Sequence, residues 1–305
     1  MTDDRAPAAP RTLAQRIDAW ERLVRLDKPI GTLLLLWPTL TALWIAARGT
    51  PPLSIVIIFA LGTLLMRSAG CAVNDWADLG YDAHVKRTSG RPLVTGEVTP
   101  REALTVGAAL ALGAFVLVLF TNRATILLAF LGLAISIAYP FFKRFFALPQ
   151  AFLGVAFSFG IPMAFAAVRG EVEWPGWPML AINLFWVIAY DTEYAMVDRD
   201  DDVRIGMRTS AITFGRFDVA AIAVSYAAYF AGMVWVGRLM ALGPLYFAGL
   251  AVALAFAVWH LWLIRGRDRD RCFRAFLHNH WLGFAVFAGT ALDYAVRAHA
   301  WPKLA

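Results

Sequence analysis

Asn74, Asp78 and Asp82 recur at intervals of four in the stretch Asn74-Asp75-Trp76-Ala77-Asp78-Leu79-Gly80-Tyr81-Asp82. On a continuous helix that spacing puts one carboxamide and two carboxylates on a single face. Like charges so close together repel unless a cation lies between them. Oxygen donors without Cys or His select a hard ion, magnesium above all, which usually shares its shell with substrate phosphates. The stretch follows an almost wholly apolar run from Leu53 to Val73, long enough to cross a bilayer. Carboxylates at the end of a membrane span are costly and mark function. The competing reading is a solvated loop with scattered aspartates.

A second set argues against that alternative. Asp191, Asp198 and Asp202 are separated by seven and four, so they too share one helix face, at the end of another apolar run. Asp200 and Asp201 fit carboxylates reaching for water, whereas Asp191 lies about two turns before the helix end. Two such triads, each ending an even-numbered span, predict two halves that meet around a shared cavity and hold a metal–diphosphate group. A diphosphate also needs cations. Arg67 lies inside the second span, seven residues before Asn74 and on nearly the same face, where an unpaired guanidinium is costly. Its expected partner is a phosphate, with an aspartate as the alternative. Tyr139 and Lys143 offer a hydroxyl and an ammonium at similar depth, while Arg144 reads as a topology charge.

The elements that must position these groups are membrane helices. The chain has 305 residues, 60% of them hydrophobic and only 16% charged. Soluble domains carry roughly 25% charged residues, so most of this chain must face lipid or other helices. The net charge of +6 does not signal nucleic acid, because the basic residues lie in loops between apolar runs. Cys71 and Cys272 show no paired spacing, which excludes a disulfide framework and a zinc site. No cleavable signal peptide is visible; the first span is expected to act as its own insertion signal. His84, His278 and His280 lack the spacing of a metal pair and read as loop residues.

Residues 1–10 read as a tail, and 13–26 as an amphipathic helix on the membrane surface. Nine spans are predicted, near 30–47, 53–73, 103–120, 124–140, 148–168, 178–198, 218–237, 241–264 and 282–298. The predicted fold is all-α and polytopic, with residues 1–28 as tail and interfacial helix and 29–300 as one transmembrane domain. With the N-terminus cytoplasmic, 21 of the 28 Lys and Arg residues fall on the cytoplasmic side and six on the other. Both aspartate sets are then cytoplasmic, beside a loop at 83–100 whose Lys86, Arg87 and Arg91 could close over a phosphate.

With both motifs in view, the chain resembles the UbiA family of intramembrane aromatic prenyltransferases. The family motif N-D-x-x-D-x-x-x-D is met by Asn74, Asp75, Asp78 and Asp82, and its second motif by Asp191, Asp198 and Asp202. Arg25-Leu-Asp-Lys-Pro-Ile-Gly-Thr32 and the residues around Asp191 look most like the ubiquinone-pathway branch. The resemblance implies nine helices around a central cavity open to lipid, a cytoplasmic cap, and a bacterial inner-membrane location. It implies transfer of a polyprenyl group from its diphosphate to the carbon ortho to the hydroxyl of 4-hydroxybenzoate. By position, Asn74, Asp78, Asp198 and Asp202 would hold Mg2+; Asp75 and Asp82 are second choices whose roles the match does not fix, with Asp82 the one counted in the metal set. Arg67, Lys143 and Arg144 would pair with the diphosphate, and Asp191 would lie near the acceptor. Lys28 is a candidate partner for the acceptor's carboxylate, its alternative being interfacial anchoring. A family member with another acceptor, a cation-coupled transporter and a CDP-alcohol phosphotransferase are the rivals. The last lacks its expected D-G-x-x-A-R opening. Chain length of the prenyl group and oligomeric state stay open.

Overall fold

The structure, a computed structural model, describes residues 12–142 and 146–300, with side chains described through 139 and from 146 to 297. All regular structure among these residues is helical. That follows from the apolar runs, because lipid offers no partner to a backbone N–H or C=O and a helix pairs them internally. Six stretches are long and apolar enough to cross a membrane. They are α2 (Ile30–Ala47), α3 (Leu53–Ala77), α5 (Pro100–Val118), Pro149–Arg169, Ser210–Leu239 and α12 (Pro244–Ile264). The other predicted spans fall in α6 (Arg123–Phe142), whose apolar run is shorter, in α9 (Gly176–Ile205), which is charged from Asp191 onward, and in α13 (Arg269–Ala300), which is charged towards both ends.

The amphipathic segment forms α1 (Leu13–Leu23), started by a capping box between Thr12 and Gln15. Leu13 and Ile17 are exposed, while Ala19 and Leu23 are buried against α3 and the 83–99 segment. The expected single span at 148–168 is two helices in succession, α7 (Pro149–Ser158) and α8 (Gly160–Arg169). Pro162 explains the interruption, since it has no N–H to donate to the Ser158 carbonyl and its ring crowds that oxygen. Ser210–Leu239 likewise divides into α10 (Ser210–Phe214) and α11 (Asp218–Leu239), joined by a single 3-10 turn.

Helix α9 runs unbroken for 30 residues, about 45 Å, and stops at Gly206, whose φ of 72° suits glycine. It packs against α7, α11 and α13, placing its middle at the centre of the molecule. The first aspartate set departs from its expected geometry. Helix α3 ends at Ala77, and Asp78 (φ −93°, ψ 4°) caps it before the single turn α4 (Leu79–Asp82). The Asp78 N–H still bonds the Asn74 carbonyl, and its own carbonyl accepts from Tyr81 and Asp82 N–H. The face is therefore kinked at Asp78 rather than continuous. His278 and His280 lie on α13, not in a loop.

Candidate functional site

A cavity of about 1050 Å³ opens between the ends of α3 and α9 and extends down among the helices. Asn74, Asp78 and Asp82 line it from one side, and Asp191, Asp198 and Asp202 from the other. Residues more than a hundred positions apart are thus brought to one site. Continuous α9 delivers its three aspartates as their spacing predicts. The first three arrive through the kink at Asp78. Arg67, Tyr139 and Lys28 also line the cavity. Lys28 sits exposed at its rim, 3.5 Å from Asp27. Lys143 and Arg144 lie outside the described residues.

The carboxylates are buried, with Asp78, Asp82, Asp198 and Asp202 each under 10% exposed. Buried anions require compensation, and arginines that sequence spacing did not assign provide much of it. Arg25 donates from Nη2 to both oxygens of Asp75, at 2.9 and 2.8 Å. Its left-handed backbone (φ 61°) also turns Nη1 onto the Arg22 and Leu23 carbonyls that end α1. Arg91 reaches Asp75 at 2.9 Å and Asp82 as well. Asp75, held by two guanidiniums and 2% exposed, is thereby a charge anchor. Arg87 donates to Asp198 Oδ2 from Nε (2.9 Å) and Nη2 (2.6 Å), and lies 4.5 Å over the Tyr194 ring. Burial raises the Asp82 carboxyl above the ordinary aspartate range; Arg91 opposes the rise, while Asp75 and Asp78 add to it. Asp201 does not reach for water as expected, but pairs with Arg269 outside the cavity at 3.1 Å, whereas Asp200 is exposed.

Deeper in the cavity, the Arg67 guanidinium turns its Nε–Nη2 edge onto Gly31 of α2. A Cβ on Gly31 would stand 2.6 Å from its Nε and 2.7 Å from Nη2. Its Nη1 donates to the Cys71 sulfur at 2.9 Å, and Phe157 faces it at 5.6 Å. Its neighbour is thus a thiol, not the aspartate that sequence left as an alternative. Arg67 Nε, the Tyr190 hydroxyl and the Thr209 hydroxyl are buried polar atoms without a hydrogen-bond partner among the described residues, and all three residues line the cavity. Unsatisfied buried polar groups are costly, which makes this depth suited to a polar ligand. Nothing in the spacing of Tyr190 or Thr209 pointed to the cavity.

The donor chemistry fits a hard divalent ion, since the site offers carboxylate and carboxamide oxygens. As placed, no three His, Cys, Asp or Glu side chains among the described residues converge closely enough to share one ion. Arginines occupy Asp82 and Asp198 instead.

Comparison with known proteins identifies relatives of the whole chain. The profile of the UbiA prenyltransferase family matches residues 35–284. The 4-hydroxybenzoate octaprenyltransferase of Nitrosospira multiformis is 60% identical over 287 residues, covering 94% of this chain and 99% of that protein. That of Cupriavidus necator is 61% identical over 285 residues, covering 93% and 100%. Among solved structures, the apo UbiA homolog from Aeropyrum pernix K1 superposes with a TM-score of 0.76 at 27% identity, covering 86% of this chain and 97% of that one. A UbiA homolog from Archaeoglobus fulgidus bound to GPP and Mg2+ shares the fold, with a TM-score of 0.68 at 18% identity, covering 88% and 99%.

Proposed function

The chain belongs to the UbiA prenyltransferase family, and we propose from this that it transfers a polyprenyl group from polyprenyl diphosphate to the carbon ortho to the hydroxyl of 4-hydroxybenzoate, a step of ubiquinone biosynthesis. The observation that carries the reading is the convergence of both aspartate sets on one cavity, in a chain about 60% identical to proteins named for this reaction. Family membership sets aside the transporter reading.

In this proposal Asn74, Asp78, Asp82, Asp198 and Asp202 hold Mg2+ ions. Bound magnesium supplies charge neutralisation at the diphosphate, which eases loss of pyrophosphate from the allylic carbon. Arg67, packed on Gly31, presents a fixed cation to the same leaving group, with Tyr139 beside it. Fixed charge of this kind stabilises the transition state without reorganisation. Lys143 and Arg144 add to it. Asp191, deeper on α9, faces the acceptor, Lys28 at the rim meets the acceptor's carboxylate as it enters, and the ring proton displaced by the new carbon–carbon bond leaves on the released pyrophosphate. The apolar walls keep water from the allylic cation.

The same proposal places nine helices across a bacterial inner membrane, in one domain from residue 29 to 300. The N-terminus and the site face the cytoplasm, where the basic residues concentrate. The test follows C-prenylated 4-hydroxybenzoate formed by purified protein, with Mg2+ and with EDTA. Mg2+-dependent product is expected. Turnover of a different aromatic alone would replace the acceptor, and no diphosphate consumption at all would overturn the reading.

A further inference from the structure

Arg87 stands where it can serve two anions in turn. It projects from the 83–99 segment and lines the cavity, and its partner Asp198 is 111 residues away. The neighbouring arginine of that segment behaves differently. Arg91 bridges Asp75 and Asp82, and Asp75 is gripped a second time by Arg25, so Arg91 is tied into a closed network of two cations and two anions. Arg87 holds a single carboxylate, and that carboxylate is one of the oxygen donors the proposal above assigns to Mg2+. Its guanidinium plane rests on the Tyr194 ring at 4.5 Å, a support that keeps it at the mouth without depending on Asp198. Thr88, next in the chain, bonds the Asp82 carbonyl at 2.7 Å, which fixes the root of the segment beside the first aspartate set.

Two positive groups compete for Asp198. A divalent ion that took this carboxylate would weaken its hold on Arg87 and leave a guanidinium with free N–H donors at the cavity mouth. Phosphate oxygens match that planar fork as well as a carboxylate does. We propose that Arg87 is an exchangeable counter-ion: it neutralises Asp198 in the substrate-free protein and passes to the diphosphate when a divalent cation takes Asp198. This rests on the diphosphate–metal reading above. The exchange keeps Asp198 compensated in both states and adds a cation to the donor site only when the metal is present, so metal and diphosphate binding become coupled.

The exchange predicts effects of opposite sign, which loss of a structural prop does not. Arg87→Gln removes the competitor for Asp198, so Mn2+ alone, titrated against detergent-solubilised protein and read by electron paramagnetic resonance, binds about tenfold more tightly. Inorganic pyrophosphate, titrated calorimetrically at saturating Mg2+, binds about tenfold more weakly to the same variant. Should that variant not fold, Arg87→Lys carries the test, since its ammonium loses the paired geometry on Asp198 and the predicted signs are unchanged. Weakening of both ligands together, or an unchanged affinity for either, would overturn the exchange. If the wild-type protein bound no pyrophosphate with Mg2+, the diphosphate–metal reading itself would fail, which is a separate result.

Discussion

Asp191 and Glu193 stand two residues apart on α9, about 200° apart around the helix, and their surroundings differ in kind. On the side facing α11, α12 and α13, Glu193 is fully buried among neutral groups. Asn279 Nδ2 donates to its Oε2 at 2.8 Å, and the Tyr226 hydroxyl lies 2.9 Å from its Oε1. The network continues from Tyr226 to His260 Nδ1 at 3.1 Å, and Trp186 Nε1 donates to Asn279 Oδ1 at 2.9 Å. On the other side Asp198 and Asp202 are nearly as buried, yet they border a cavity, and Asp198 is met by a guanidinium from a connecting segment. Burial alone therefore does not mark the functional face. What separates the two is the partner: packed neutral donors on two helices, Tyr226 and Asn279, hold Glu193, whereas Asp198 is held by a cation at a cavity that a ligand can enter.

The comparison breaks if the two faces respond alike to substitution. Asp198→Asn is expected to lower Mg2+-dependent product formation by about 10²-fold or more, with the melting temperature in detergent nearly unchanged. Loss of stability in parallel with activity would make this face structural too. Glu193→Ala is expected to do the reverse, lowering unfolding free energy by about 3 kcal/mol, because it strands the Asn279 and Tyr226 partners in the packed interior. Substrate KM values measured below its melting point should stay at wild-type levels. Gly31→Ala sharpens the cavity side, since its methyl group must push the Arg67 guanidinium aside. Turnover is expected to fall about tenfold with a smaller change in stability, as small displacements of positioning groups are costly to rate. The smallest effect is Tyr226→Phe, about 1 kcal/mol of stability from the lost hydroxyl, read as a modest shift in melting temperature at full activity.

Much of this was legible in the residue order because helices and hydrocarbon impose local rules. The predicted span at 30–47 matches α2 at both ends, since Lys28-Pro29 and Arg48-Gly49 bracket an unbroken apolar run. The face shared by Asp191, Asp198 and Asp202 holds because nothing in α9 interrupts its 3.6-residue period. The kink at Asp78 escaped, as helical spacing carries no mark of where a helix bends. The arginine partners escaped for a different reason. Arg25 meets Asp75 across 50 residues and Arg87 meets Asp198 across 111, distances over which periodicity says nothing.

The amino-acid order by itself determined that this chain is helical and membrane-bound, and which oxygen donors it could offer a metal, because apolar length, charge placement and spacing act within a few turns of helix. Only the tertiary structure decided which charges compensate one another. Asp75 became an anchor, Asp198 half of an ion pair at the cavity and Glu193 part of the packing because folding chose what stands opposite each carboxylate, and the energy of a buried charge depends on its neighbours in space.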